Sequence, residues 1–183
     1  MAIKTFTTGE VLTASDTNTY LANSGLVYVT SVNVSGTPTT LTVPSAFSST
    51  YDHYRITISN LTVTISSDLR MTLGSTVTGY YYGNPLTVMI GGAYEKNNGS
   101  NAAYLSLGAV NSGWGNDFSF DVMAPNKATL TKFTGFGYQN SAQYGGLGSG
   151  LLDGTTQYTA FTLTQPSGTM TAGTVTVYGY RKA

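Results

Sequence analysis

YRITISNLTVTI, residues 54–65, carries two apolar alternations in opposite phase. Tyr54, Ile56 and Ile58 share one parity, and Leu61, Val63 and Ile65 share the other. Successive side chains of a strand point to opposite faces, so a flat strand cannot deliver both sets to one core. The chain must therefore bulge, bend or turn near Ser59 and Asn60, with a half-buried strand on either side.

The same period of two recurs outward from this stretch. In LVYVTSVNV, residues 26–34, Leu26, Tyr28, Val32 and Val34 fall on one face. Shorter alternations follow at Leu41/Val43, Leu69/Met71/Leu73, Leu86/Val88/Ile90, Leu105/Leu107, Phe118/Phe120/Val122, Phe161/Leu163 and Val175/Val177. Many short strands at close spacing predict an all-β chain, a sandwich or a barrel. EKNNGSN, residues 95–101, reads as a hairpin tip, because Asn98 and Gly99 accept the positive φ of a tight turn. NSAQYGGLGSGLLDGTT, residues 140–156, reads as a long surface loop. No internal repeat or linker interrupts residues 26–183, which read as one head domain.

The chain has 183 residues, 40% of them hydrophobic, which is enough for a core. Charged residues make up 9%, against about a quarter in an average domain, and 8 basic residues cancel 8 acidic ones. That balance excludes an electrostatic binder of nucleic acid or of anionic lipid. Solubility rests on Thr, Ser, Gly and Asn, a surface suited to lateral assembly. Cysteine is absent, which removes disulfides and thiolate metal sites. No window is long and apolar enough for a signal peptide or a membrane span, so the expectation is a protein made in a cytoplasm with no membrane insertion.

Helix signals are confined to the start, IKTFTTGEVLTASDTNTYL, residues 3–21. Thr13 can cap an N-terminus, Asp16 three residues later favours the helix dipole, and Gly25 can close the other end. About ten residues of helix are too few to hold together in water alone. Residues 1–25 are therefore expected to be an anchoring segment, with Phe6, Val11, Leu12, Tyr20 and Leu21 needing a cover.

Chemistry-bearing residues are sparse. The lone histidine, His53, has Asp52 as its chain neighbour, which in a strand points the other way; it reads as an outward polar residue opposite Tyr54 and Ile56. Asp117 and Asp121 share a face but stand roughly 13 Å apart at ~3.3 Å per residue, wider than the ~5–9.5 Å used by glycosidase carboxylates. GGLGSG, residues 145–150, lacks the spacing and the Lys-Ser/Thr of a phosphate-binding loop. No His, Cys or Asp cluster has metal-ligand spacing, so neither metal nor cofactor is expected. The Asn-x-Ser/Thr matches at Asn33, Asn60 and Asn98 are what chance allows in so Ser/Thr-rich a chain.

Aromatics are the informative class, with 14 Tyr, 7 Phe and 1 Trp. Tyr80, Tyr81 and Tyr82 stand between glycines in GYYYGN, Trp114 stands in SGWGND, and Tyr138 and Tyr144 flank the glycine-rich stretch. Rings in such settings give large contact area at small entropic cost and keep a polar tip. These six are the candidate glycan or receptor contacts; the competing expectation is that they pack inward or against an identical neighbour.

FTTGEVLTASDTNTYL with the following ANSGLVYV resembles an N-terminal motif of tailed-bacteriophage structural proteins, commonly tail-associated or fibre proteins. Phe6, Gly9, Glu10, Val11, Leu12, Thr13, Ala14, Asp16, Asn18, Tyr20 and Leu21 fill its positions. TYDHYRITISNL at 50–61, FSFDVMAPN at 118–126 and GTVTVYGYRK at 173–182 resemble the small β-sandwich heads of phage fibres. The resemblance implies a jelly-roll-like antiparallel sandwich, where periodicity alone leaves an immunoglobulin-like one equally open. It further implies a homotrimer held to the virion or to sister chains by its N-terminal segment. On these grounds the chain is expected to be a non-enzymatic virion protein, a tail fibre or receptor-binding head that contacts host-surface glycan. The alternative is a capsid decoration (cement) protein; a polysaccharide depolymerase stands third.

Overall fold

The phase change at residues 59–60 is a β-bulge. In a computed structural model, which describes residues 7–16, 25–88, 94–139 and 144–182, one strand runs through the whole stretch from His53 to Val63. Tyr54, Ile56 and Ile58 are buried, Ser59 and Asn60 are exposed, and Leu61 and Val63 are buried again. Asn60 has φ 51°, a left-handed conformation that its short polar side chain tolerates. Gly173 opposite has φ 132°, and a Cβ there would come within 2.9 Å of Leu61 Cα. The two strands thus bulge together, and both halves of each serve one core.

Twelve strands are present among the described residues. In chain order they are β1 (Leu26–Asn33), β2 (Thr40–Val43), β3 (His53–Val63), β4 (Ser67–Leu73), β5 (Tyr80–Val88) and β6 (Tyr94–Ala102). They continue as β7 (Leu105–Val110), β8 (Asn116–Met123), β9 (Thr131–Gln139), β10 (Tyr144–Leu152), β11 (Phe161–Thr164) and β12 (Met170–Tyr180). An 8-stranded sheet has the order β1-β12-β3-β8-β9-β10-β5-β6, and a 4-stranded sheet the order β2-β11-β4-β7. Every pairing is antiparallel.

This order is a jelly roll with two hairpins added. The chain pairs β1 with β12, β2 with β11, β3 with β8 and β4 with β7, as a long antiparallel ribbon does when it is rolled over itself. β5–β6 and β9–β10 are insertions that extend the large sheet past β8. The all-β sandwich read from the sequence is thus observed, and the strand order selects the jelly roll over the immunoglobulin-like alternative.

Inward residues of both sheets form one core that includes Tyr54, Ile56, Phe118, Phe120 and Val177 from the large sheet and Leu69, Met71, Leu73, Phe161 and Leu163 from the small one. Buried tyrosines keep their hydroxyls satisfied, as burial demands. Tyr54 accepts from the Ser48 amide at 2.7 Å and donates to the Ser48 carbonyl at 2.8 Å.

Two stretches expected as a turn and a loop are strands instead. Residues 95–101 lie inside β6, and residues 144–152 of the expected loop are β10. Glycine in β9 and β6 makes room for aromatic rings reaching across from the neighbouring strand. Gly135 and Gly137 pair with Phe120 and Phe118, and a Cβ at either glycine would collide with the opposite phenylalanine. Gly99 pairs with Tyr82, whose ring lies over it. Gly150 lets the Leu105 side chain of β7 close in on the large sheet.

At the front, Ala14–Asp16 form the described helical turn, α1. Its cap is as read from the sequence: the Asp16 amide donates to Thr13 Oγ1 at 3.1 Å, and the Thr13 amide donates to Asp16 Oδ2 at 3.2 Å. Val11 and Leu12 are exposed. Phe6, Tyr20 and Leu21, and any continuation of the helix, lie outside the described residues.

Candidate functional site

The outer face of the large sheet is lined by the side chains of opposite parity to the core. Pairing register lays them out in rows across the strands. Toward one end Asp117 of β8 stands beside Tyr138 of β9, and the next row sets Ser119 beside Phe136. Phe136 and Tyr138 are about half exposed and meet edge to face, with ring centroids 5.6 Å apart. Two rings in that geometry form a ridge with a hydrogen-bonding tip.

Trp114 comes to the same end. It lies in the loop between β7 and β8, two residues before Asn116, and Asn116 pairs with Gln139 next to Tyr138. Asn116 is fully buried and spends its whole carboxamide on this region. Its Oδ1 accepts from the Asn111 amide at 2.8 Å, and its Nδ2 reaches the carbonyls of Leu61 (2.8 Å), Asn111 (3.1 Å) and Trp114 (3.1 Å). The Ser66 hydroxyl accepts from the Ser112 amide at 3.0 Å, and Gly115 packs on Asn60. The loop is therefore held from several sides while the indole, 53% exposed, faces solvent. Ile65, also exposed, follows β3 at this end.

The six aromatics singled out in the sequence do not form one site. Trp114 and Tyr138 gather at the end just described, and the backbone of Tyr144 starts β10 there, paired with Val88; its side chain is outside the description. Tyr81 lies far off: it pairs with Leu151, which pairs with Lys132, six positions from Tyr138, about 20 Å along the strand. Tyr82 points to the other face and stacks on Tyr104 with centroids 6.4 Å apart. Tyr80 must be withdrawn as a ligand contact. It is fully buried, its hydroxyl accepts from the Leu73 amide at 2.7 Å and donates to the Thr76 carbonyl, and burial pushes it up to about 12. The two flanking rings had the same glycine context, but strand alternation sends Tyr80 inward and Tyr81 outward. Phe136, missed in the sequence, has a readable signal: in TGFGYQ it alternates with glycines, which fixes its parity with Tyr138.

Arg55 and Asp121 are paired on the outer face. Arg55 of β3 grips Asp121 of β8 through Nε at 2.6 Å and Nη2 at 2.9 Å, and the Tyr180 hydroxyl of β12 donates to the same carboxylate at 2.8 Å. Burial pushes Asp121 up, but these hydrogen bonds outweigh it and hold its carboxyl below the usual value. Asp117 has a separate duty, accepting the Asn60 amide at 2.8 Å and so pinning the bulge. His53 is exposed and outward, as read from its parity. A second cluster lies where β7 folds over the inserted strands. The Ser106 hydroxyl, buried, donates to Asp68; Asn97 bridges Asp68 (3.3 Å) and Ser106 (2.9 Å); and the Arg70 guanidinium sits 4.1 Å from the centre of the Tyr104 ring. Burial raises the Asp68 carboxyl, against the opposing pull of Ser106 and Arg70. With its hydroxyl enclosed, Ser106 ties the β5–β6 hairpin to the small sheet.

The outer face thus presents exposed rings at two places, with hydroxyl and carboxylate groups beside them and the sheet beneath. Compared with protein-family models and with curated proteins, the chain finds no match.

Proposed function

We propose that this chain is a non-enzymatic virion protein of a tailed phage, a trimeric receptor-binding head that meets host-surface glycan with the outer face of its large sheet and is attached through its N-terminal segment. The observation that carries the reading is the exposed ridge of Phe136 and Tyr138 with Trp114 held at the same end. Exposed apolar rings presented by rigid backbone are what a binding surface needs, since little entropy is lost on contact. The N-terminal motif supports the virion assignment, and the exposure of Val11 and Leu12 supports a partner for that segment, either sister chains or another virion protein.

Labelled protein added to host cells tests the reading. Wild type should bind, and Trp114→Ala with Tyr138→Ala should reduce binding at least tenfold, since hot-spot aromatics contribute about 2 kcal/mol or more. Unchanged binding by the double variant would remove the receptor role. The capsid-decoration alternative draws on the same exposed Val11 and Leu12, and copy number separates the two: hundreds of copies per particle for decoration, tens or fewer for a fibre.

A further inference from the structure

We propose that a groove at the Tyr81 end of the outer face is a second subsite, specific for an acidic saccharide. It rests on the reading of this face as glycan-binding but shares no residue with the Phe136–Tyr138 end.

Register sets Met123, Lys132, Leu151 and Tyr81 in one row across β8, β9, β10 and β5. The adjoining row on the last three of those strands is Thr134, Ser149 and Gly83, all small. A wall of long side chains beside a floor of small ones leaves a groove of about 580 Å³ lined by Tyr81, Gly83, Met123, Lys132, Ser149 and Leu151. That volume lies within the range of small-ligand sites. The row spans three strand gaps, about 14 Å, long enough for a short oligosaccharide.

Three features select the ligand. Tyr81 is 37% exposed and supplies a ring for the apolar face of a sugar. Ser149 supplies a hydroxyl on the floor. Lys132 is exposed and is the one charged side chain among the described residues lining the groove, so it favours a carboxylate-bearing sugar. The nearby carboxylate of Asp121 is taken up by Arg55 and Tyr180 and leaves Lys132 free to act on a ligand. An acidic peptide fits less well. β9, β10 and β5 are each paired on both sides, so no main-chain edge is open for strand addition.

Calorimetric titration with a trimer of galacturonic acid, and with the same trimer methyl-esterified, tests this. Wild type should bind the acid form better than the ester. Lys132→Gln should lower affinity for the acid form by up to about fivefold, the range of an exposed ion pair, and erase the difference between the two ligands. Tyr81→Ala should weaken both by about tenfold. Both positions are at the surface, and unchanged circular dichroism of the variants establishes that they fold. Three results would overturn the proposal: no binding of the acid trimer, equal binding of acid and ester by wild type, or tighter binding of an oligoglutamate peptide. Because Trp114 and Tyr138 play no part, loss of this subsite and loss of the receptor reading are separate results.

Discussion

Asn60 and Gly173 decide whether one strand can serve the core on both sides of a bulge. Asn60 is left-handed, where a β-branched residue is strained by about 1–2 kcal/mol and glycine is not. Asn60→Val should therefore lower the melting temperature by several degrees, and Asn60→Gly should leave it nearly unchanged; equal loss in both would mean that the Asn60 side chain, not its backbone angle, matters. Asp52 acts at the same scale. Lys127 Nζ at 2.8 Å and Lys182 Nζ at 2.9 Å hold its carboxylate, and Lys182 also reaches the Ser49 carbonyl, so one carboxylate joins the β8–β9 connection to the C-terminal tail. Hydrogen bonds from Lys127 and then Lys182 lower its pKa from 3.8 to about 2. A depressed carboxylate contributes above its unfolded value and loses that contribution as the pH falls through the folded one. The clamp should thus be intact above pH 3.8 and half lost near pH 2. A carbon-detected NMR titration should give Asp52 a midpoint near 2; a midpoint near 3.8 would show that the lysines do not hold it.

The elements show where sequence reading succeeded and where it stopped. Alternation identified β3, β8 and β12 because one face of each is apolar and the other polar, and it located the bulge because burial must follow parity. β10 escaped because its inward positions from Gly146 to Gly150 are glycine, which carries no hydropathy signal, and β6 escaped because Asn98 and Gly99 are turn-formers in isolation. The information lay in neighbouring strands, in Tyr82 and Leu105, and reading it needs the register. The same limit applies to the site: Trp114 and Tyr138 were visible as types, but that they share an end, and that Tyr80 turns inward, depends on pairing. Gly135→Val tests this packing. The added side chain meets Phe120 and the Ser119 carbonyl, and overpacking of this kind costs typically about 1–3 kcal/mol. Chemical denaturation should show a loss in that range or beyond, and an unchanged midpoint would mean that β9 does not lie flat on β8.

The whole molecule is a jelly roll whose added hairpins widen one sheet to eight strands while the other keeps four. The widened sheet has an outer face bearing aromatic rings, and its rigidity comes from the core beneath. Fold alone does not assign function, since jelly rolls serve many. The proposed role therefore depends on the exposed rings and on the exposure of Val11 and Leu12 in the N-terminal segment. A homotrimer should appear in light scattering at three times the 19.2 kDa chain mass. The most direct measurement is a reconstruction of the phage particle by electron cryomicroscopy. The account predicts threefold-arranged jelly-roll density at the tail, with residues 1–25 directed to the particle and the large sheet's outer face outward; a particle on which no such density appears would contradict it.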